Sequence, residues 1–155
     1  MGDQAVAYIL QSIGGNPFSV INLIDLRGNK IISSTASLGN IFSANRVHTL
    51  NLQNNAIEEE GISILCNELV NNSSLKTLNL QNNKLGDRGA TSIGKLLANN
   101  HSLQELDIGS NRIGHEGTSF IVTGLKNNKS LMKLNMRSNF IADQGAYMFA
   151  KSLAK

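Results

Sequence analysis

Three histidines, His48, His101 and His115, are the side chains in this sequence best suited to hold a metal ion or to transfer a proton. A zinc site gathers three or four such ligands around one point. The three histidines instead fall at three different positions of the internal repeat described below, so they are not expected to converge. The sequence therefore predicts no metal site and no cofactor.

The single cysteine, Cys66, is the one thiol that could act as a nucleophile. No histidine is placed to activate it, and the same repeat position is held elsewhere by Gly94, Val122 and Ala150. A position that accepts these residues indicates a small, part-buried structural site. The glycines follow the repeat and form no phosphate-binding loop. No catalytic residue is predicted, and the chain is interpreted as a non-enzyme.

The composition sets the class of protein to be expected. A length of 155 residues suits one domain, spanning 1–155, and an apolar content of 41% without Trp requires an aliphatic core. The sequence has no apolar run of membrane-spanning length, no basic secretion signal and no second cysteine for a disulfide. A cytoplasmic protein without a membrane partner is therefore expected.

The net charge of +3 is distributed unevenly along the chain. Residues 1–121 carry 8 basic and 10 acidic side chains, whereas residues 122–155 carry 6 basic side chains and one acidic, a local net charge of +5. Two interpretations stay open: a basic end that serves solubility alone, or a docking site for an acidic partner.

The seven residues TLNLQNN occur twice, at 49–55 and at 77–83, which is a spacing of 28 positions. They belong to a longer unit, L-x-x-L-x-L-x-x-N-x-I, followed by an apolar run with helical spacing. Repetition of a unit of this length indicates an array of one supersecondary element. The predicted units are a half-repeat at 1–18 and repeats at about 19–46, 47–74, 75–102, 103–130 and 131–155. The first of these full repeats has Ile21, Ile24, Leu26 and Ile31 as its apolar anchors.

The L-x-L core of each unit alternates apolar and polar residues, which predicts a short strand with one buried face. The asparagine that follows can donate and accept hydrogen bonds where the chain turns away from the strand. Stacking of the units is expected to build a structural asparagine ladder from these positions. Its members are Asn29, Asn55, Asn83, Asn111 and Asn139.

The second half of each unit predicts a helix, as in the run Gly89, Ile93 and Leu97 on one face. The glycine at its head is expected to let the helix approach the strand layer. The helices end in Asn-Asn pairs at 71–72, 99–100 and 127–128, which are expected to use the left-handed conformation that asparagine tolerates. The glycosylation-like triplets at these turns are attributed to that capping. Residues 32–46 lack the fixed glycine, so a shorter or looser helix is expected there.

These motifs resemble the leucine-rich repeats of the ribonuclease-inhibitor type over about residues 19–155. The resemblance implies an α/β leucine-rich-repeat solenoid, curved, with parallel strands on the concave face and helices on the convex face. It implies no particular function, because this repeat type occurs in ribonuclease inhibitors, NOD-like receptors, Ran GTPase-activating proteins, tropomodulins and many ciliary proteins. Neither end carries an obvious polar cap. The chain is therefore interpreted as part of a longer protein, as a protein whose ends meet partners, or as a self-capped array.

The side chains between the buried leucines are expected to point into the concave face in three rows. The middle row contains only Asp and Asn, which strands disfavour. It is interpreted either as a hydrogen-bonded, solvated row or as a recognition surface for a protein or peptide. The absence of concave aromatic residues argues against stacking of nucleic acid. The predicted contact residues are Asp25, Asn51, Asn79, Glu105, Asp107, Lys133, Asn135 and Arg137.

The sequence therefore predicts a non-enzymatic protein–protein interaction module or scaffold, with protein partners and no nucleic acid. One alternative is an architectural component that docks by its ends or helices into a cytoskeletal, ciliary or receptor assembly. The other is a GTPase-activating protein of the Ran type, in which a loop residue such as Arg88 or Arg112 would assist hydrolysis.

Overall fold

The computed structural model describes residues 2–16, 18–32, 39–43 and 46–153, without the side chains of residues 40, 43, 152 and 153. Helices and strands alternate along these ranges. The helices are α1 (Asp3–Gly14), α2 (Gly39–Ser43), α3 (Glu59–Leu69), α4 (Gly86–Asn99), α5 (His115–Leu125) and α6 (Asp143–Leu153). The strands are β1 (Leu23–Asp25), β2 (Thr49–Asn51), β3 (Thr77–Asn79), β4 (Glu105–Asp107) and β5 (Lys133–Asn135).

The described strands form one parallel sheet in chain order, β1-β2-β3-β4-β5, with each central leucine or isoleucine paired to the next. The sheet stays open, so that β1 and β5 are its edges. The central side chain of each strand faces the helices, as the burial of Ile24, Leu50, Leu78 and Leu106 records. The predicted α/β solenoid, with strands on one side and helices on the other, is confirmed.

The core lies between the strand layer and the helix layer and is mainly aliphatic. Leu50, Leu78 and the helical residues Ile62, Ile93 and Ile121 are all fully buried. Because strands of three residues present few apolar groups each, stacking of repeats supplies most of the burial. The core thins in the last repeat, whose apolar anchors are only partly buried. These anchors are Leu131, Leu134 and Met136.

In the first repeat, the described helical residues are Gly39–Ser43. Ile41 and Phe42 are buried, while Ile32 is half exposed. One anchor was predicted wrongly: Ile21 is 41% exposed, since it lies before the edge strand β1, where no described strand covers it. The predictions for residues 33–38 and 44–45 lie outside the described residues.

The glycine near the start of α4, α5 and α6 lies against the preceding helix. A Cβ on Gly89 would meet Ile62 of α3, and one on Gly117 would meet Asp87 and Ala90 of α4. The sequence predicted only that these glycines let the helix approach the strand layer, and it did not predict this contact between successive helices. These glycines set the spacing between successive helices of the convex side.

Candidate protein-binding surface

The asparagine that follows each strand joins two repeats. Asn83 Nδ2 donates to the carbonyl oxygens of Leu80 in its own repeat (2.9 Å) and of Leu52 in the preceding one (3.0 Å). Its Oδ1 accepts the backbone N–H of Ile57 at 3.0 Å. Asn55, Asn111 and Asn139 also bond backward to the preceding repeat, and Asn29 donates a hydrogen bond from its backbone N–H to Asn55 Oδ1. These side chains satisfy backbone groups of the turn, which would be costly to leave unpaired.

The left-handed backbone that these turns need lies one residue before the ladder asparagine. Asn54, Asn82, Ser110 and Ser138 have φ of 57°, 54°, 56° and 56°. Short polar side chains tolerate this conformation because they hydrogen-bond locally. The identical QNN segments thus combine one left-handed residue with one ladder residue.

A second asparagine ladder lies at the other edge of the sheet, where each helix ends and the next strand begins. Asn100 Nδ2 donates to the carbonyl oxygens of Leu69 (2.8 Å) and Asn72 (2.9 Å), and its Oδ1 accepts the N–H groups of Ser102 and Leu103. Asn72 and Asn128 repeat this pattern around their own turns. The left-handed capping predicted for the Asn-Asn pairs is wrong: Asn100 is extended, with φ −85° and ψ 135°, and none of the pairs has positive φ.

This second ladder also explains the glycosylation-like triplets. Asn72 and Asn100 are only 6% and 3% exposed, and their amide nitrogens are hydrogen-bonded. An amide held in this way is not accessible to a modifying enzyme in the folded chain. The triplets that begin at Asn72 and Asn100 are a consequence of the ladder, since Ser74 and Ser102 also bond across repeats, to Val47 and Asn72.

The Asp/Asn row of the strand face has a local structural role. Asn51 Oδ1 and Asn79 Oδ1 accept the backbone N–H two residues on, at 3.1 and 2.9 Å. Asp107 Oδ1 does the same at 2.9 Å, and Asn135 Oδ1 at 3.1 Å. Such Asx turns offer the backbone a partner where the strand ends. Asp25 completes the row in the same way.

The remaining polar groups of the strand face point to solvent and to each other. Lys133 Nζ lies 3.5 Å from Glu105 Oε2, and Asn135 Nδ2 donates to Asp107 Oδ2 at 2.8 Å. The side chain of Arg137 is exposed next to Gly109. The amide nitrogens of Asn51 and Asn79 make no hydrogen bond within the described part of the chain. The structure thus brings all eight predicted contact residues onto one face, in register.

The residues considered for chemistry lie apart from that face. Cys66 is buried in α3, and burial raises the pKa of its thiol, so the reactive thiolate is disfavoured. Arg88 pairs with Glu59 at 3.1 Å, and Arg112 is exposed with φ 61°. Within the described residues, no three His, Cys, Asp or Glu side chains are grouped to hold a metal ion. No described helix is both long and apolar enough to cross a membrane.

The fold and its two ladders define a repeat protein in which each unit completes the hydrogen bonds of the previous one. The family model described as "Leucine Rich repeat" matches residues 46–66, 71–94, 99–122 and 127–150, and the chain belongs to this family. No curated protein matches the chain.

Among the solved structures that match, two resemble nearly the whole chain. One is titled "Leiomodin-1 Actin-Binding Site 2 (ABS2)", with a TM-score of 0.80 and 20% identity, and the match covers 94% of this chain and 86% of that one. The other is the tropomodulin C-terminal domain of Caenorhabditis elegans, with a TM-score of 0.75 and 16% identity, covering 97% and 90% of the two chains. At these identities the likeness establishes the fold.

Proposed function

We propose that the chain is a non-enzymatic protein-interaction module that binds its partner across the strand face. The observation that supports this most is the register of that face. The Asp/Asn row is continuous across the five described strands and is fixed by backbone pairing and Asx turns, and the row of Glu105 and Lys133 is aligned beside it by the same pairing. A rigid surface loses little conformational entropy on binding, which favours affinity.

The groups available to a partner are the outer rows and the unused amides. The Oδ1 atoms of the Asp/Asn row are committed to backbone N–H groups, so recognition falls to Glu105, Lys133, Arg137 and the Nδ2 groups of Asn51 and Asn79. Polar contacts of this kind give specificity and association rate more than raw affinity. A wet interface of moderate strength is expected.

Actin is the candidate partner that the structural likeness favours. The leiomodin-1 domain is named as an actin-binding site, and its fold superposes on nearly the whole of this chain. A cytoskeletal role was one of the alternatives that the sequence left open. The GTPase-activator alternative gains no support from the comparisons, and the exposed Arg88 is already paired with Glu59.

The test compares two variants with the same change in charge and bulk. The strand-face variant is Thr77→Arg with Glu105→Lys and Lys133→Glu, which keeps an ion pair in reversed order and leaves every Asx turn intact. The control is Thr123→Arg with Lys95→Glu and Glu116→Lys, at exposed positions of α4 and α5. Circular dichroism first verifies that both variants fold like wild type.

Binding to purified monomeric and filamentous actin is then measured for all three proteins, beside capture from cell lysate. Loss of binding in the strand-face variant alone is the expected result. Equal binding by both variants would move the interface to the helices or ends and contradict the strand-face proposal. In the remaining outcome, wild type binds neither form of actin and yet captures another protein that the strand-face variant does not capture. That result would support the interaction module and show that actin is the wrong partner.

A further inference from the structure

The two long edges of the solenoid differ in charge. The helix-to-strand edge consists of residues 46–48, 69–76, 98–104 and 126–132, where the chain passes from helix to strand. These segments contain no Asp or Glu. The opposite, strand-to-helix edge mixes both signs, with Glu58 and Glu59 near Lys84 and Arg88. The basic and histidine side chains of the helix-to-strand edge are Arg46, His48, Lys76, His101, Lys126 and Lys129.

The cations of the helix-to-strand edge have no carboxylate partner in the described structure. The ion pairs of the described residues lie on the strand face or on the opposite edge. They are Arg27–Asp25, Lys84–Glu58, Arg88–Glu59 and Lys133–Glu105. Lys76 Nζ reaches only a backbone oxygen, that of Ser73, at 3.4 Å. Lys126 and Lys129 are exposed. Among the described residues, ion pairs thus form on one edge and not on the other.

Backbone pairing aligns the residues of this edge from one repeat to the next, so that Lys76 lies beside His48. Lys76 N–H donates to the carbonyl of His48 at 2.8 Å, Gln104 N–H to that of Lys76 at 2.9 Å, and Met132 N–H to that of Gln104 at 2.8 Å. The four residues therefore form one row at the spacing of adjacent strands, about 4.8 Å. His101 and Lys129, in the turns that follow α4 and α5, form a second row beside the first. The residues that precede them are joined by a hydrogen bond from Asn128 Nδ2 to the carbonyl oxygen of Asn100 at 3.2 Å.

The helix dipole explains part of this charge. The C-terminal ends of α3, α4 and α5 carry a partial negative charge that favours nearby cations. That effect falls off within the last turn and accounts best for Lys126, which directly follows α5. Lys76 and Lys129 lie beyond the ends of α3 and α5, next to or within the turn that leads to the strand. Their positive potential is therefore available to an external partner.

We propose that the helix-to-strand edge docks an acidic, extended segment of a protein partner, running across the repeats. The inference rests on the proposed function as a protein-interaction module and adds a second surface to it. Met132, 80% exposed at the end of the same row, offers an apolar contact beside the cations. The edge segments hold no Phe, Tyr or Trp on which nucleic-acid bases could stack, which favours a peptide over a single strand.

The probe is a fluorescein-labelled glutamate-rich peptide that carries one leucine, with a glutamine-for-glutamate peptide as the neutral comparison. Fluorescence anisotropy measures its binding to the full chain over a range of NaCl concentrations. Binding that weakens steeply with salt is expected, because the contacts are solvent-exposed. The edge variant, Lys76→Glu with Lys126→Glu and Lys129→Glu, is expected to lower affinity by roughly tenfold or more.

The control, Lys30→Glu with Lys95→Glu and Arg112→Glu, has the same change in net charge at exposed positions outside the edge. Equal loss in both variants, or equal binding of the neutral peptide, would overturn the proposal. Tighter binding of single-stranded DNA or of phosphatidylserine vesicles than of the acidic peptide would overturn it in favour of another partner class. The strand-face variant is expected to retain the peptide, so that failure of the edge and failure of the strand face are distinguishable.

A second edge variant, with Gln in place of Glu at the three lysines, guards against misfolding. It removes the charges without introducing repulsion and is expected to weaken binding by a smaller factor while unfolding at the temperature of wild type. Unchanged peptide affinity in this well-folded variant would assign the lysines to helix-dipole stabilisation and contradict the docking site.

Discussion

The third and fifth strands carry the same motif but bury it to different extents. Leu78 and Leu80 are fully buried in and after β3, whereas their equivalents Leu134 and Met136 are only partly buried at β5. The difference lies in the neighbours, since β3 pairs on both sides and β5 pairs with β4 alone in the described sheet. Burial in this protein is thus a property of the junction between repeats rather than of the repeat itself.

Truncating the central leucine of β3 and, separately, that of β5 tests this comparison and is expected to give the largest change in stability. Leu78→Ala is expected to lower the free energy of unfolding by about 3–4 kcal/mol, because it leaves a cavity between two packed repeats. Leu134→Ala is expected to cost about 1–2 kcal/mol, since its site is already partly open. Urea unfolding followed by circular dichroism measures both values.

The slope of the urea transition sharpens this test. A last repeat that is loosely coupled would let Leu134→Ala broaden the transition, whereas Leu78→Ala should shift its midpoint without changing the slope. Equal costs for the two substitutions would show that the last repeat is as tightly packed as the middle one and would contradict the comparison.

The asparagine ladder offers the second test. Asn111 is fully buried, and its Oδ1 accepts the backbone N–H of Asn83, so Asn111→Ala leaves that buried donor without its partner. It also removes one of the two hydrogen bonds to each of the carbonyls of Leu80 and Gly109. A loss of about 2–3 kcal/mol is expected, against roughly 1 kcal/mol for Asn139→Ala, where water can replace the amide. Thermal unfolding of the two variants beside wild type measures the difference. Similar losses at both positions would mean that the half-buried end excludes water as well as the middle does.

Sequence periodicity predicted the strands, the aliphatic anchors and the repeat length, because alternation and a 28-residue spacing leave few other folds. It misassigned Asn72, Asn100 and Asn128, because asparagine suits both a left-handed cap and a buried amide, and local sequence does not distinguish them. The Asp/Asn row was ambiguous for a similar reason. An Asx turn and a recognition surface select the same residue types, and the hydrogen bonds of Asn79 and Asp107 reveal the first role.

The close helix contact between α4 and α5 gives the third test. A Cβ on Gly124 would collide with the backbone oxygen of Gly94, so Gly124→Ala must push the helices apart. Overpacking of this kind is expected to cost about 1–3 kcal/mol. Gly2→Ala is the control at the start of α1, because a Cβ there meets nothing within 4 Å. A neutral Gly124→Ala in a differential scanning fluorimetry comparison would show that the convex layer adjusts freely.

The smallest effect on stability is expected from the thiol of Cys66. Its contribution to the free energy of unfolding should depend on pH, whereas a thiol at the equivalent position of the last helix should contribute no such dependence. Burial raises the pKa of Cys66 above its value in the unfolded chain, about 8.5. The folded state then holds a proton that the unfolded state releases, so this contribution to stability is present below that value and is lost as pH rises. At pH 9.5 the free energy of unfolding is expected to be about 1.4 kcal/mol lower than at pH 7 because of this thiol.

The equivalent position in α6 is Ala150, which is exposed. Cys66→Ala should remove the thiol's share of the pH dependence, and adding Ala150→Cys to it should not restore that share, because an exposed thiol titrates alike in both states. Labelling with a thiol reagent checks the same contrast without denaturant. Cys66 should react only as fast as the folded protein opens, whereas the thiol introduced by Ala150→Cys in the double variant should react at once. Rapid labelling of native Cys66 would place α3 among the loosely held ends and reverse the comparison.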